Sequence, residues 1–223
     1  MLIRPAGKPP QEVCVLKTKS LLILLLLASV ASAQERKPAS PRGTAATQVG
    51  GKWETPKQGG EARYTGGKWI EIDYGRPIKR GREALFGSSA DYGKKLNDDA
   101  PLWRVGANQT TRLTTEAALE IGGKKLEPGS YSLFVDLKEN GWSLVVSKQP
   151  AAEKYDPNEK SKTWGSYNYD PKFDVAKATM RNSKLHHSVD QLTIGFVDVT
   201  DKGGTLAVAW DHELAMVDFK LVP

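Results

Sequence analysis

In separate segments between Trp69 and the C-terminal end the apolar residues recur at every second position, and no long stretch keeps helical spacing. A strand throws successive side chains to opposite faces, so a period of two marks strands with one face in a core. Tyr131, Leu133, Val135 and Leu137 fall on one face, and after Asn140-Gly141 the series Trp142, Leu144 and Val146 does the same. Asn-Gly between alternating runs predicts a hairpin, because both residues tolerate the positive φ of a tight primed turn. Ala118 to Leu126 reads as another hairpin, turning at Gly122-Gly123, and Pro128-Gly129 makes a turn before the Tyr131 strand. Leu192, Ile194 and Phe196 alternate in one strand and Leu206, Val208 and Trp210 in the next, with Lys202-Gly203-Gly204 between them and a last strand over 214–221. Trp69 to Tyr74 and Phe173 to Met180 complete the set. The expected fold is all-β, an antiparallel β-sandwich of jelly-roll-like or Greek-key type with about eight or nine strands.

The start of the chain obeys a different pattern. Lys17 and Lys19 precede the apolar run Leu21 to Leu27, which fades into the small residues Ala31-Ser-Ala33. A basic n-region, a short apolar stretch and an Ala-x-Ala boundary make a cleavable signal peptide over residues 1–33, with cleavage expected after Ala33. The run is far below the roughly 18 residues of a membrane span, so no span is expected after cleavage. Pro5, Pro9 and Pro10 lengthen the n-region unusually and point to translation starting further along. The sole cysteine, Cys14, leaves with the leader, so the mature chain has neither disulfide nor thiolate chemistry. The expected location is periplasmic or secreted. Residues 34–62 hold little apolar material beyond Val49 and Trp53 and read as a disordered, removable spacer before a single domain over 63–223.

Charge excludes one class of partner. Half of the net charge of +6 sits in the leader, where Arg4, Lys8, Lys17 and Lys19 face Glu12 alone. What remains is too balanced for a nucleic-acid binder, which gathers Lys and Arg into one basic face.

Several ordered motifs lie within the β region: Tyr74-Gly-Arg-Pro77, Gly81-Arg82, Trp103-Arg-x-Gly-Ala-Asn108 with Thr110, Pro128-Gly-x-Tyr131-Ser-Leu, and Trp164-Gly-x-Tyr167-x-Tyr169. In this order they resemble the bacterial family catalogued as domain of unknown function 2911, and the likeness runs from about Lys68 to Leu221. The chain departs from that pattern at Gln109, where an acidic residue is expected, and at Ser147, where an Asn is expected. The resemblance implies an exported β-rich protein and brings no established activity.

Taken by their chemistry, Arg76, Arg82, Arg104 and Arg112 with Asn108 and Thr110 can line a cationic, hydrogen-bonding pocket. A guanidinium fork matches carboxylate, phosphate or sulfate, while Asn and Thr orient a polar ligand. The alternative is structural: Arg76 and Arg104 pair with Asp73, Asp170 or Glu120, and Asn108 satisfies the backbone of a bulged loop. Trp164, Tyr167 and Tyr169 after the polar loop 148–163 offer either a stacking platform for a sugar ring or the edge of the core. His186-His187 and the distant His212 lack the convergent ligand set of a zinc site, and Asp156 to Glu159 lacks the spacing of a calcium loop, so no metal or other cofactor is assigned. Neither Gly-x-Ser-x-Gly nor His-Glu-x-x-His is present, and His212-Glu213 lacks the second His.

Three function classes follow. The leading one is a non-enzymatic exported β-sandwich that binds a glycan, a peptide or an anionic small molecule through Arg76, Arg82, Arg104, Asn108, Thr110, Trp164 and Tyr167. The second is an envelope hydrolase using a carboxylate pair near the same cleft, with Asp73, Asp136 and Asp174 as candidates and a spacing of roughly 5–9 Å as its mark. The third is a structural or assembly module without a pocket. Nothing in the sequence sets the oligomeric state.

Overall fold

The computed structural model describes residues 38–97 and 100–223, so the expected leader and its cleavage site lie outside the described residues. Six strands pair in the order β1 (Arg42–Val49), β4 (Lys68–Gly75), β5 (Thr111–Thr115), β8 (Gly129–Asp136), β9 (Ser143–Ser147) and β10 (Asp174–Thr179). Four more run in the order β11 (Arg181–Val197), β12 (Gly203–Leu221), β6 (Leu119–Ile121) and β7 (Lys124–Leu126), and β2 (Lys52–Glu54) pairs with β3 (Arg63–Thr65). Every ladder between these strands is antiparallel. The protein is an all-β antiparallel sandwich. Ile70, Ile72, Leu113, Leu133 and Leu144 of the larger sheet meet Leu119, Ile121, Leu206 and Phe219 of the smaller one in a single core. Burial of each such side chain stabilises by about 1.5–3 kcal/mol.

The alternation decides these faces. Tyr131, Leu133, Val135 and Leu137 are all buried in the main core, as their spacing requires. The opposite face of β8 and β9 is buried too: Phe134 and Val145 pack with Leu102 and Tyr169 in a second, smaller cluster. The loop after β9 supplies that cover. Gln149, 2 % exposed, accepts from Asp170 N at 2.9 Å through Oε1, donates from Nε2 to Asn168 O at 2.6 Å, and accepts at its carbonyl from Ser132 Oγ at 2.7 Å. One buried amide thereby fastens a long loop to the sheet, and leaving either end unpaired would cost about 1–3 kcal/mol.

Three expectations are corrected. Residues 34–62 are not a spacer throughout, because β1 lies within them and pairs with β4 from Arg42↔Gly75 to Val49↔Lys68. Its only buried apolar side chains are Ala45 and Val49, so the strand is held largely by its backbone ladder, which apolar counting does not detect. The described strands number twelve rather than eight or nine. In β5 the inward positions carry Thr111 and Thr115, whose hydroxyls donate to Val105 O and Ala117 O, so threonine hides the alternation. Conversely, the expected strands at Leu206 and Leu214 are one strand of 19 residues, β12, bent at Asp211 (φ 53). The Gly122-Gly123 hairpin holds as expected, with φ of 59° and 72° and Ile121 opposite Lys124. The Asn140-Gly141 hairpin also forms, although Asp136 pairs with Ser143, so the loop is longer than a tight two-residue turn.

Candidate functional site

The connection from β4 to β5, residues 76–110, carries most of the sequence motifs and crosses an aromatic cluster. Trp103 and Trp210 stack with ring centroids 6.1 Å apart, and Phe86 touches Trp103, Trp142 and Trp210 at 6.1, 5.1 and 6.2 Å. Trp103 is further tied to Val135 by reciprocal backbone hydrogen bonds of 2.9 and 2.8 Å. These rings are large, stiff and buried, so they form a rigid floor for whatever lies above them.

Two guanidinium groups are placed beside this floor. Arg82 donates from Nε to Lys79 O and from Nη2 to Ile78 O, each at 3.0 Å, with its Cζ 5.6 Å from the Trp210 ring centroid. Arg104 donates from Nη1 to Asn108 O at 3.2 Å, and its Cζ lies 5.6 Å from the Tyr167 ring centroid. Gly165 makes this approach feasible, since a Cβ there would sit 2.8 Å from Arg104 Nη1. Stacking and carbonyl contacts orient both side chains while using only part of the five N–H donors each carries. Arg82, Arg104, Lys95 and Asn108 line one cleft of about 300 Å³ together with Ser40, Trp103 and Trp210. Among its described lining residues there is no carboxylate. Low dielectric walls and one sign of charge concentrate anions in such a space.

The other expected site residues serve the scaffold. Arg76 does not reach the cleft: it donates to Leu192 O at 3.2 Å and Thr193 Oγ1 at 3.4 Å, fastening the start of the connection to β11. Thr110 is buried, and its hydroxyl donates to Thr163 O and Gly165 O at 2.9 and 3.0 Å, which positions the turn that Arg104 packs against. Trp164 is half-buried in that turn, bridged to Tyr167. Arg112 points elsewhere, 3.6 Å from Glu153. The expected pairings of Arg76 and Arg104 with Asp73, Asp170 or Glu120 are replaced by bonds to carbonyl oxygens and a threonine hydroxyl. Asn108 is exposed with φ 64, a left-handed position that Asn tolerates, so its structural contribution is to the loop's backbone turn. Lys95, Trp103 and Trp210 were missed from the sequence as cleft residues. Lys95 sits in a lone turn of helix (Lys94–Asn97) and carries no motif, and Trp210 reads simply as a strand residue.

The candidate carboxylates of the hydrolase reading do not meet in the cleft: Asp73 lies on β4, while Asp136 and Asp174 both act on Tyr169. Asp73 accepts from Thr44 Oγ1 at 2.6 Å, Asp136 from Lys177 Nζ at 2.9 Å, and Asp174 from Tyr169 at 2.5 Å. Burial pushes the Asp174 carboxyl above its usual range, and burial followed by the neighbouring carboxylate raises the Tyr169 hydroxyl as well. None of the three lines the cationic cleft. Among the described residues no three His, Cys, Asp or Glu side chains are grouped to hold a metal, and no helix is long and apolar enough to cross a membrane.

One close approach links fold to cleft. A Cβ on Gly75 would lie 2.0 Å from Ala107 O, a backbone atom that cannot step aside alone. Gly75→Ala is therefore expected to cost about 1–3 kcal/mol or more and to displace the Gly106 to Asn108 loop. Thermal unfolding and the amide spectrum of that loop check this; an unchanged midpoint would mean that the backbones separate freely.

No curated protein and no solved structure matches the chain. A family model does, over residues 55–219, which takes in the connection, both clusters of aromatic motifs and all strands from β3 to most of β12. On that match the chain belongs to the family described as protein of unknown function (DUF2911).

Proposed function

We propose that this is a binding protein for a ligand bearing a carboxylate, phosphate or sulfate group, held in the cleft of Arg82, Lys95, Arg104 and Asn108. The observation that carries the reading is the concentration of cationic donors over a rigid aromatic floor with no carboxylate among the described lining residues. Guanidinium groups already stacked and partly hydrogen-bonded lose little entropy on meeting an anion, and their planar forks match two oxygens at once. Tyr167 does not line the cleft but lies against Arg104 at its side, which holds the guanidinium in place for the ligand. The ligand is then an acidic glycan, an acidic peptide or an anionic small molecule. Lys17, Lys19, the Leu21 to Leu27 run and Ala31-Ser-Ala33 support export by a cleavable signal peptide to the periplasm or beyond. With Asp73, Asp136 and Asp174 engaged away from the cleft, binding is favoured over hydrolysis.

Calorimetric titration with phosphate, sulfate, glucuronate and an acidic peptide tests the reading. Arg104→Lys is expected to weaken the best of these about tenfold or more, because a point charge cannot reproduce a bidentate fork, while leaving the unfolding midpoint close to wild type. Asn108→Gly keeps the left-handed backbone and removes only the amide, so it separates side-chain recognition from loop geometry. Full affinity in Arg104→Lys would place the anion elsewhere.

A further inference from the structure

The small hairpin of β2 and β3 sorts its side chains by kind. Trp53 stands opposite Tyr64, and the two-residue period puts both rings on one face while Lys52, Glu54, Arg63 and Thr65 fall on the other. The rings meet edge to face, with centroids 5.7 Å apart and planes at 63°. Tyr64 is fixed in that position. Its hydroxyl oxygen accepts from Gly51 N at 2.8 Å, and a Cβ on Gly51 or Gly67 would come within 2.5 or 2.6 Å of its ring, so only glycine backbone lets the ring settle there. Trp53 is 72 % exposed, and its indole surface lies open to solvent beside this anchored neighbour.

The two rings and the turn between β11 and β12 line a hollow of about 380 Å³, to which the turn contributes Val199, Thr200 and Asp201. Its charge is of one sign. Asp201 is the only charged side chain in the described lining, and it has neither a hydrogen-bonding nor a cationic partner among the described residues. The cleft of Arg82 and Arg104 is thus inverted here: a carboxylate and the negative faces of aromatic rings share one space that no lysine or arginine lines. Such a space attracts a cation, and indole is the ring that holds one best. The kind of cation follows from the scarcity of acceptors. A primary ammonium is compact, strongly hydrated and carries three donors to satisfy. Thr200 Oγ1 already donates to Gly203 O and accepts from Lys202 N, each at 3.2 Å, which leaves Asp201 and the amide oxygen of Gln48 as side-chain acceptors in the lining. A quaternary ammonium has no N–H to satisfy. Its charge is spread over methyl groups that also pack against Val199 and the indole.

We infer that this hollow binds a quaternary ammonium group, seated on Trp53 beside Tyr64 and Val199 with Asp201 as its countercharge. The inference stands independently of the anion reading, since the two sites share no described lining residue. It is tested on the folded protein by NMR titration with tetramethylammonium, with choline and with dimethylbutanol, the uncharged isostere of choline, following the amide of Gly51. Choline is expected to bind about three- to tenfold more tightly than the isostere. Trp53→Leu keeps apolar bulk and removes the ring, and should cost choline a similar factor. Asp201→Asn should weaken choline severalfold at low salt and less at high salt, because the pair is exposed to screening. Arg104→Lys should leave choline affinity unchanged, which separates this site from the cationic cleft. Vesicles distinguish the source of the group. Saturation by choline without retention on phosphatidylcholine vesicles identifies a free small molecule, whereas retention on phosphatidylcholine and not on phosphatidylglycerol, lost in Trp53→Leu, identifies a lipid headgroup; either result supports the inference. Equal affinity for choline and its isostere, wild-type affinity in Trp53→Leu, or no response to either cation at tens of millimolar overturns it.

Discussion

A chain beginning at Gly51 is expected to fold far less stably than one beginning at Ser40, although the two differ by eleven residues with little apolar content. Those residues are β1 and its approach. Val49 is 1 % exposed, and its burial alone is worth about 1.5–3 kcal/mol. The loss extends further, because β1 pairs along all eight of its residues with β4 and would leave that strand as an open, apolar edge. Pro41 O also accepts from Arg76 N at 2.8 Å, and Gly43 lies under the Arg76 side chain. Removing them loosens the start of the connection that carries Arg82. Thermal and urea unfolding of the two chains read the effect directly; equal midpoints would show that β1 adds nothing to the sandwich.

Trp103→Ala is expected to cost about 3–5 kcal/mol, the range for emptying a buried aromatic position. Trp103 is 1 % exposed and lies against Phe86, Trp142 and Trp210 at once, so no single neighbour can collapse into the space it leaves. For a domain of this size the loss corresponds to roughly 10 °C or more in the unfolding midpoint. Anion binding in the cationic cleft should suffer with it, since Trp103 and Trp210 line that cleft. Trp53→Ala, at a residue 72 % exposed on the small β2–β3 hairpin, is the control and should shift the midpoint little. If the two substitutions had similar effects, the aromatic cluster would not be the anchor of this end of the sandwich.

How much of this was legible depends on the range of the interaction concerned. The strands at Trp69, Tyr131 and Leu192 could be read because alternation is a local property and their inward residues are apolar. The turn at Gly122-Gly123 could be read because left-handed backbone needs particular residues at adjacent positions. β5 escaped because its inward threonines satisfy their hydroxyls on Val105 O and Ala117 O, and β1 because a ladder of peptide groups leaves little trace in side-chain composition. The sequence singles out the arginines by residue type alone, and the chemistry of a guanidinium is the same whether it faces a ligand or a carbonyl. Only packing separates Arg76, bonded to Leu192 O and Thr193, from Arg82, laid over Trp210.

By itself the sequence determined the all-β class, most strand faces and the family, since each rests on residues close together or on motifs in fixed order. Which motif residues share a cleft was decided only when the sandwich brought Trp210 beside Arg82 and Tyr167 beside Arg104. A cleft of about 490 Å³ between residues 84–92 and strands β11 and β12 has the same origin. Tyr92, Asn182 and Glu213 come from a loop and two different strands, and none is distinctive alone. Their convergence is a long-range contact, which periodicity and spacing do not encode, because a period of two specifies the face on which a side chain lies and not the partner that it meets there.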